Sequence, residues 1–180
     1  MRTVDEILQL FREHGNSEYG GEAVTQREHA LQCAFLAEME GAPEHLIVAA
    51  LLHDIGHLLH NLPDDSPDKG IDDAHEDSGY LYLTDLFPES VTKPIQLHVA
   101  SKRYLCSTQP GYLQKLSKPS LVSLRLQGGP MNDEEVREFE MNPHFRDAVR
   151  LRVWDDTGKQ PNFQTPVIEH FVSYLRELAF

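Results

Sequence analysis

Apolar residues recur at helical spacing along most of the chain, and no window alternates between apolar and polar residues over several positions. The first apolar face consists of Val4, Ile7, Leu8, Leu10 and Phe11. The segment Thr25-Gln26-Arg27-Glu28 has the pattern of a capping box, which predicts that a second helix starts there and stops before Gly41. The pattern therefore predicts an all-α protein without a sheet.

Helical periodicity continues through the rest of the chain. The further predicted helices are Leu46–Leu59, Asp73–Leu86, a helix that starts at Pro88, Leu113–Leu126, Asp133–Glu140, His144–Trp154 and a last one from Pro166 to about Leu178. The segment Asn61–Ile71 is rich in Pro, Asp and Gly and predicts a loop, while Asp156–Lys159 and Gly128-Gly129-Pro130 predict turns. The spacing assigns no role to the second of these turns. We expect residues 1–180 to form one domain.

Charge limits the partners that the protein can have. The chain has 16 Lys and Arg against 29 Asp and Glu, a formal net charge of −13. An acidic surface repels a phosphate backbone, so we expect no nucleic-acid partner, and a small anionic substrate would need a locally basic site. No apolar run approaches the length of a membrane span, and the N-terminus lacks a signal-peptide pattern, so we expect a cytoplasmic protein without a membrane partner. The sequence leaves the oligomeric state open.

His53 and Asp54 lie side by side within the most apolar predicted helix, Leu46–Leu59. Two polar residues buried in such a helix are costly unless they pair with each other or bind a metal ion. His29, His75 and His98 come from three other predicted helices, and Asp155 closes a fourth. Helices packed as a bundle can bring such side chains to one point in the core. We therefore predict a metal site, with a buried imidazole–carboxylate pair as the alternative.

The order of these residues resembles the H…HD…D pattern of the HD-domain superfamily, at His29, His53-Asp54 and Asp155. His75 and His98 resemble the additional ligands of superfamily members that bind two metal ions. The resemblance implies an all-α, HD-domain helical bundle with a buried two-metal site, in which Asp54 bridges the ions. A set of imidazoles and carboxylates without a thiolate suits iron or manganese better than structural zinc. Cys33 and Cys106 fit no zinc or disulfide spacing, and Cys33 is expected to be a small buried residue.

Four further stretches resemble the HD-domain oxygenases of the PhnZ and TmpB type, which are distant relatives of myo-inositol oxygenase. They are Ser17–Ala23, His98–Tyr104, Gln127–Met131 and Arg152–Gln160. The resemblance extends from about Leu8 to about Lys159. It implies a mixed-valent Fe(II)/Fe(III) pair that uses O2 to cleave the carbon–phosphorus bond of a 1-hydroxy-2-aminoethylphosphonate. The products would be phosphate and glycine, or glycine betaine when the amine is trimethylated.

The same resemblance implies roles for residues outside the ligand set. The phosphonate would be held by His57, Lys102, Ser120 and Arg152, and His57 and Lys102 would also be catalytic. Tyr19 and Glu22 would face the substrate amine from a loop in which Gly20-Gly21 provides freedom of movement. The alternatives are that Lys102 and Arg152 form a solvated helix face, that Tyr19 only packs and that Glu22 is solvated.

Two other functions remain open at the level of sequence. An HD phosphohydrolase would act on a nucleotide or phosphate ester with zinc or manganese, and would need no O2. A catalytically silent HD module would serve in regulation or binding. The intact His53-Asp54 pair and Asp155 argue against the silent module.

Overall fold

The computed structural model describes residues 2–59 and 74–180, and within these ranges the chain is helical and has no strand beyond one isolated bridge between Glu18 and Thr25. The helices are α1 (Val4–His14), α2 (Gln26–Met39), α3 (Glu44–Leu52), α4 (Ile55–Leu58), α5 (His75–Leu83), α6 (Glu89–Thr108), α7 (Lys118–Leu126), α8 (Asp133–Met141), α9 (Phe145–Thr157) and α10 (Val172–Leu178). Two 3₁₀ turns, Leu113–Lys115 and Ile168–Phe171, precede α7 and α10. The all-α prediction is confirmed. The predicted loop Asn61–Ile71 lies outside the described residues.

Helix α3 occupies the centre of the core. Every residue from Leu46 to Leu52 is buried, and α2, α6, α9 and α10 all contact this helix. A helix that is apolar on every face is stable only when other elements surround it. A smaller apolar cluster of Leu105, Tyr112, Leu116 and Leu124 joins α6 to α7 and to the 3₁₀ turn between them.

The predicted capping box at the start of α2 is present. The Thr25 hydroxyl accepts a hydrogen bond from the Glu28 backbone N–H at 3.2 Å, and the Glu28 carboxylate accepts one from the Thr25 N–H at 2.7 Å. Both donors belong to the first turn of α2, where no helical carbonyl can reach them. The box therefore fixes where α2 begins, one turn before His29.

The prediction of one continuous helix over Leu46–Leu59 is wrong. Helix α3 ends at Leu52, and α4 begins only at Ile55. The break has a local cause, because the His53 side chain donates through Nδ1 to the Ala50 carbonyl oxygen at 2.9 Å. In a continuous helix that carbonyl would accept from the backbone N–H of Asp54. The chain thus leaves the helical path at its two polar residues.

Three other predicted boundaries need correction. Leu113–Leu126 is not one helix, because Ser117 caps a new helix through its hydroxyl, which accepts from the Ser120 N–H at 3.3 Å. The last helix does not open at Pro166, since the 3₁₀ turn intervenes and α10 starts at Val172. Helix α9 continues to Thr157, so the predicted turn begins two residues later than expected.

The turn Gly128-Gly129-Pro130 links α7 to α8 and is held by α6. Gly128 and Gly129 both have positive φ angles, +96° and +74°, which favour glycine. Arg103 of α6 donates to the Gly129 carbonyl at 2.8 Å and pairs with Glu135 of α8 at 2.6 Å. Through these two contacts, Arg103 connects α6 both to the turn and to α8, which gives the turn a structural role that its spacing did not indicate. No helix in the described ranges has the length and apolar character that crossing a bilayer requires.

Candidate metal centre

Asp54 lies at the break between α3 and α4 and presents one carboxylate oxygen to each of two groups of donors. Its Oδ2 lies 3.5 Å from His29 Nε2 and 3.2 Å from His53 Nε2. Its Oδ1 lies 3.3 Å from His75 Nε2 and 3.4 Å from His98 Nε2. The carboxylate therefore stands between two pairs of imidazoles that come from four different segments of the chain.

We call the donors on the Oδ2 side the first group, formed by His29, His53 and Asp155 together with Asp54. The two imidazole Nε2 atoms lie 3.1 Å apart, and Asp155 Oδ1 lies 3.4 Å from His29 Nε2 and 4.0 Å from His53 Nε2. The second group is formed by His75, His98 and the other oxygen of Asp54, and its Nε2 atoms lie 3.2 Å apart. All six residues that the sequence analysis selected are buried and converge here.

Backbone carbonyls orient three of the four imidazoles. His29 Nδ1 contacts the Gly158 carbonyl at 2.8 Å, His53 Nδ1 the Ala50 carbonyl at 2.9 Å, and His98 Nδ1 the Ile95 carbonyl at 2.7 Å. A carbonyl oxygen only accepts, so each Nδ1 carries the proton and each Nε2 directs a lone pair to the centre. This is the arrangement found at histidines that bind metal ions.

The donors fit a pair of cations. Both Asp54 oxygens are buried and have no well-formed hydrogen bond among the described residues. Burial alone would raise the pKa of Asp54, but its contacts with His53, His75 and His98 hold that pKa well below the usual range. Burial likewise opposes ionisation of Asp155, yet the charges of Arg152 and Lys159 hold the pKa of Asp155 well below its usual value. Burial lowers the pKa of His29 and of His98, whereas Asp54 outweighs burial and raises the pKa of His53. Metal binding requires ionised carboxylates and neutral imidazoles, so a bound cation would take the place of the proton on His53.

Lys102 and Arg152 are only 3% and 4% exposed, so the alternative of a solvated helix face is wrong for both. Lys102 Nζ donates to the Ser123 hydroxyl at 2.8 Å. Burial, reinforced by the positive charge of Arg152, lowers the pKa of Lys102 to about 7. Arg152 Nη1 donates to Asp155 Oδ2 at 2.7 Å. Arg152 therefore contacts a residue of the first group directly, whereas Lys102 is held by Ser123 of α7 and interacts with Asp155 through charge.

Residues that the sequence analysis did not select complete the environment of Arg152. Its Nε donates to the Tyr112 hydroxyl at 3.2 Å, and its Nη2 donates to Asp156. The Tyr112 hydroxyl also donates to Asp156. Among the described residues Arg152 thus uses three of its five N–H groups, which leaves two for a ligand.

Tyr19 and Glu22 lie on the loop between α1 and α2, and both face the centre. The Tyr19 ring stacks on His29 with centroids 3.9 Å apart, and its hydroxyl lies 3.4 Å from Asp155 Oδ1. One oxygen of Glu22 is buried, so the alternative of a solvated glutamate is wrong. Gly20 and Gly21 have φ angles of +49° and +79°, which let the loop turn back toward α2.

His57 and Ser120 also lie at the centre. The His57 ring stacks on His75 with centroids 4.0 Å apart. The Ser120 hydroxyl accepts a hydrogen bond from Lys159 Nζ at 3.3 Å. In the sequence, Lys159 belongs only to the family stretch Arg152–Gln160 and to the predicted turn Asp156–Lys159. It lies beyond the end of α9 at Thr157, so no helical spacing indicated that it faces the same site.

Cys33 is fully buried, as expected, but it also contacts the centre. Its sulfur lies 3.8 Å from His29 Nδ1 and donates to the Trp154 carbonyl at 3.5 Å. Burial raises the pKa of the Cys33 thiol well above its usual value, so the group is neutral. The thiol packs against His29, and its sulfur lies within 4.8 Å of ligand atoms of both His29 and His53.

Comparisons with known proteins agree with this geometry. The HD-domain family matches residues 26–137. The chain is 45% identical over 176 residues to a (1-hydroxy-2-(trimethylamino)ethyl)phosphonate dioxygenase (glycine-betaine-forming) of Leisingera caerulea, which covers 98% of this chain and 90% of that protein. It is also 45% identical over 169 residues to a hydroxymethylphosphonate dioxygenase of Gimesia maris, covering 93% and 84%. An uncharacterized protein of Acanthamoeba polyphaga mimivirus is 35% identical over 184 residues. The chain belongs to the HD-domain family, in the branch that contains these two hydroxyphosphonate dioxygenases.

Proposed function

We propose that this protein is a di-iron oxygenase that uses O2 to cleave the carbon–phosphorus bond of a 1-hydroxy-2-aminoethylphosphonate. The amine is primary or trimethylated, and the products are phosphate and glycine or glycine betaine. The names of the two relatives at 45% identity support this reaction, since both are dioxygenases of hydroxyphosphonates. A small molecule is therefore the expected partner.

The observation that carries the proposal is the position of Asp54. Its two buried oxygens each face a separate pair of imidazole nitrogens, at 3.2–3.5 Å on one side and 3.3–3.4 Å on the other. We infer that Asp54 bridges two metal ions, with the first group around one and the second group around the other. The full proposed ligand set is His29, His53, Asp54, His75, His98 and Asp155.

We infer that the two ions are iron in a mixed-valent Fe(II)/Fe(III) state. The imidazoles and carboxylates of the proposed ligand set support iron. The Cys33 sulfur also lies close enough to His29 and His53 to offer a ligand atom, but burial favours its neutral thiol over the thiolate that binds metal ions. The first group also holds one more carboxylate than the second, so the two positions differ in negative charge. Unequal donor charge supports two ions of unequal oxidation state.

The surrounding residues provide the binding groups for an anionic phosphonate and a cationic amine. The bound irons would supply the activation of O2 and the Lewis acidity that polarises the substrate oxygens. Lys102 and Arg152, with His57 and the Ser120 hydroxyl, are proposed to hold the phosphonate, which meets the need for local positive charge in a chain of net charge −13. We assign catalytic roles to His57 and Lys102 within this set. Glu22 and the ring of Tyr19 are proposed to receive the amine.

We also infer that residues 1–180 act as one domain. Helices α1 and α10 lie outside the family match at 26–137, yet their buried residues belong to the same apolar cluster as α3. Among them are Ile7, Phe11 and Leu175. Their removal would expose the faces of the helices that carry the ligands.

The experiment that tests the proposal is product analysis of the iron-loaded protein with both hydroxyphosphonates, under air and without O2. We expect phosphate together with glycine or glycine betaine under air, one O2 consumed for each phosphate formed, and no product without O2. Phosphate release that continues at the same rate without O2 would indicate hydrolysis and overturn the proposal. A His98→Gln variant, which lacks one ligand of the second group, is expected to lose activity with either substrate.

A further inference from the structure

Lys159 lies close to four of the groups around the centre. Its Nζ lies 3.3 Å from the Ser120 hydroxyl, 3.7 Å from Asp155 Oδ1 and 3.8 Å from Glu22 Oε1. It also lies 5.5 Å from the centroid of the Tyr19 ring. The side chain is 13% exposed, so these contacts are largely shielded from water.

The backbone on both sides of Lys159 is fixed to α2. The preceding residue, Gly158, accepts a hydrogen bond from His29 through its carbonyl at 2.8 Å. The following residue, Gln160, exchanges two hydrogen bonds with the Gln32 side chain, both at 3.0 Å. The position from which the ammonium reaches Glu22 is therefore built into the structure.

Glu22 interacts with this ammonium through charge alone. The distance of 3.8 Å is too long for a hydrogen bond, and Glu22 Oε1 is buried without a hydrogen-bond partner among the described residues. Once Asp155 shares its charge with a metal ion, Glu22 is the carboxylate left to balance Lys159. Because Glu22 receives no hydrogen bond from Lys159, a ligand cation without N–H donors can take the place of the lysine ammonium beside Glu22.

A lysine ammonium thus faces the same two features that recognise an alkylated ammonium group, a carboxylate and an aromatic ring. We propose that Lys159 is a specificity-determining residue that occupies the amine position of the substrate site, neutralises Glu22 in the free protein and is displaced from it by the substrate cation. Lys159 then sets how strongly the site prefers a cationic ligand to a neutral one. This inference rests on the function proposed above.

Lys159 penalises a cationic ligand in two ways, because it repels the incoming charge and pairs with the carboxylate that would receive it. Lys159 also attracts the negatively charged phosphonate end of the ligand. A comparison of two phosphonates that differ only in the charge of their other end cancels this second effect. Suitable probes are 2-(trimethylamino)ethylphosphonate and its neutral isostere 3,3-dimethylbutylphosphonate, neither of which has the hydroxyl that the reaction requires.

The test is calorimetric measurement of Kd for both probes with the metal-loaded protein. Lys159→Met keeps most of the side-chain length and removes the charge. We expect the ratio of the Kd of the isostere to the Kd of the cation to rise about fivefold, the upper end of the range for an ion pair that is not fully buried. Glu22→Gln should lower that ratio, and in the Glu22→Gln background Lys159→Met should raise it by less than in the unmodified protein, because only the direct repulsion between Lys159 and the ligand cation is then removed. The exposed Lys118 of α7 provides the matched control, since Lys118→Met should leave the ratio unchanged.

Lys159→Gln serves as a second variant if Lys159→Met fails to fold, because glutamine retains a donor for Ser120. Equal weakening of both probes, with an unchanged ratio, would mean that Lys159 holds the phosphonate or the loop, and would overturn the inference. If the unmodified protein binds neither probe, the present inference is overturned, while the proposed function is decided separately by turnover of the two hydroxyphosphonates. If it binds both and the ratio does not respond to Lys159, only the present inference fails.

Discussion

Gly56 and His75 touch through their backbones, and no side chain fits between them. A Cβ atom at Gly56 would lie 2.1 Å from the His75 carbonyl oxygen and 2.7 Å from the Ser78 hydroxyl oxygen. Gly79 faces the same contact, since its Cβ would lie 3.3 Å from the Gly56 nitrogen. Gly56 follows Asp54 by two residues, and His75 opens α5. The close approach of α4 and α5 therefore determines how near His75 comes to Asp54.

Gly56→Ala is expected to push α5 away from α4 and so remove His75 from the second group. Overpacking of this kind costs about 1–3 kcal/mol of unfolding free energy. We expect a loss of that size in chemical denaturation, together with a fall in bound metal, measured by mass spectrometry, from two ions toward one. Gly79→Ala is the graded control and should have a smaller effect, because its Cβ meets its nearest neighbour at 3.3 Å. Equal metal content in Gly56→Ala and the unmodified protein would contradict the prediction.

Asp54 is the one proposed ligand that belongs to both groups. Its removal should therefore affect the binding of both metal ions, whereas removal of any other proposed ligand should affect one. We expect Asp54→Asn to reduce bound iron to well below one ion per chain, whereas Asp155→Asn and His98→Gln should each retain close to one. Native mass spectrometry of the purified variants gives these counts directly. Asp156→Asn is the matched control, because Asp156 contacts Arg152 and Tyr112 instead of the imidazoles. Retention of two ions in Asp54→Asn would argue against a bridging carboxylate.

The sequence was sufficient to predict that the six residues proposed as ligands converge, because they come from five predicted segments, with His53 and Asp54 sharing one. His29, His75 and His98 fall on different amphipathic or apolar stretches, and packing such stretches into a bundle brings one face of each to the core. The helix break at His53 was not predictable from periodicity, since apolar residues resume after it at Ile55, Leu58 and Leu59 with helical spacing. The break depends on a side chain that competes for a backbone carbonyl, and such competition leaves no mark on the hydrophobic pattern.

The burial of Lys102 and Lys159 was also not predictable from the sequence. A lysine on a solvated face and a lysine packed against a metal centre look alike in sequence, so Lys102 was selected by resemblance and Lys159 was not selected at all. The contact of Lys159 with Glu22 joins residues more than 130 positions apart. It forms only because the loop before α2 and the segment after α9 are both fastened to α2. Long-range convergence of loops has no periodic signature.

The buried, protonated side chain of Lys102 is expected to lower the stability of the protein. Its pKa is lowered to about 7 by burial and by Arg152, while the unfolded chain keeps the ordinary value near 10.5. Between these two values the unfolded state binds more protons, so stability rises with pH, and below pH 7 the folded state carries the full cost of the buried charge. We therefore expect Lys102→Met to raise the free energy of unfolding by a few kcal/mol at pH 6 and by much less at pH 9.5, as measured by denaturant titration.

The same variant should bind phosphonate ligands more weakly, because the charge that destabilises the fold is the charge that the ligand requires. In the unmodified protein the affinity for a phosphonate should decline as the pH rises from 7 to 9, since Lys102 then loses its proton. The charged groups that influence Lys102 are Arg152, Asp155, Lys159 and Asp156. Lys118→Met provides a control for the loss of a surface charge. A pH-independent affinity over this range would show that Lys102 does not hold the ligand.

Gly158 and Cys33 should behave as a coupled pair. A Cβ at Gly158 would lie 2.7 Å from the Cys33 sulfur, and the Gly158 carbonyl orients His29 through a hydrogen bond at 2.8 Å. Gly158→Ala is therefore expected to displace that carbonyl, destabilise the protein by about 1–3 kcal/mol and weaken metal binding in the first group. Cys33→Ala alone should cost little beyond a small cavity. Combined with Gly158→Ala it should restore part of the loss, because the sulfur is the first atom that the new methyl group meets. A double-mutant cycle in thermal unfolding and metal content measures this coupling, and strictly additive effects would show that the contact with Cys33 is not the cause.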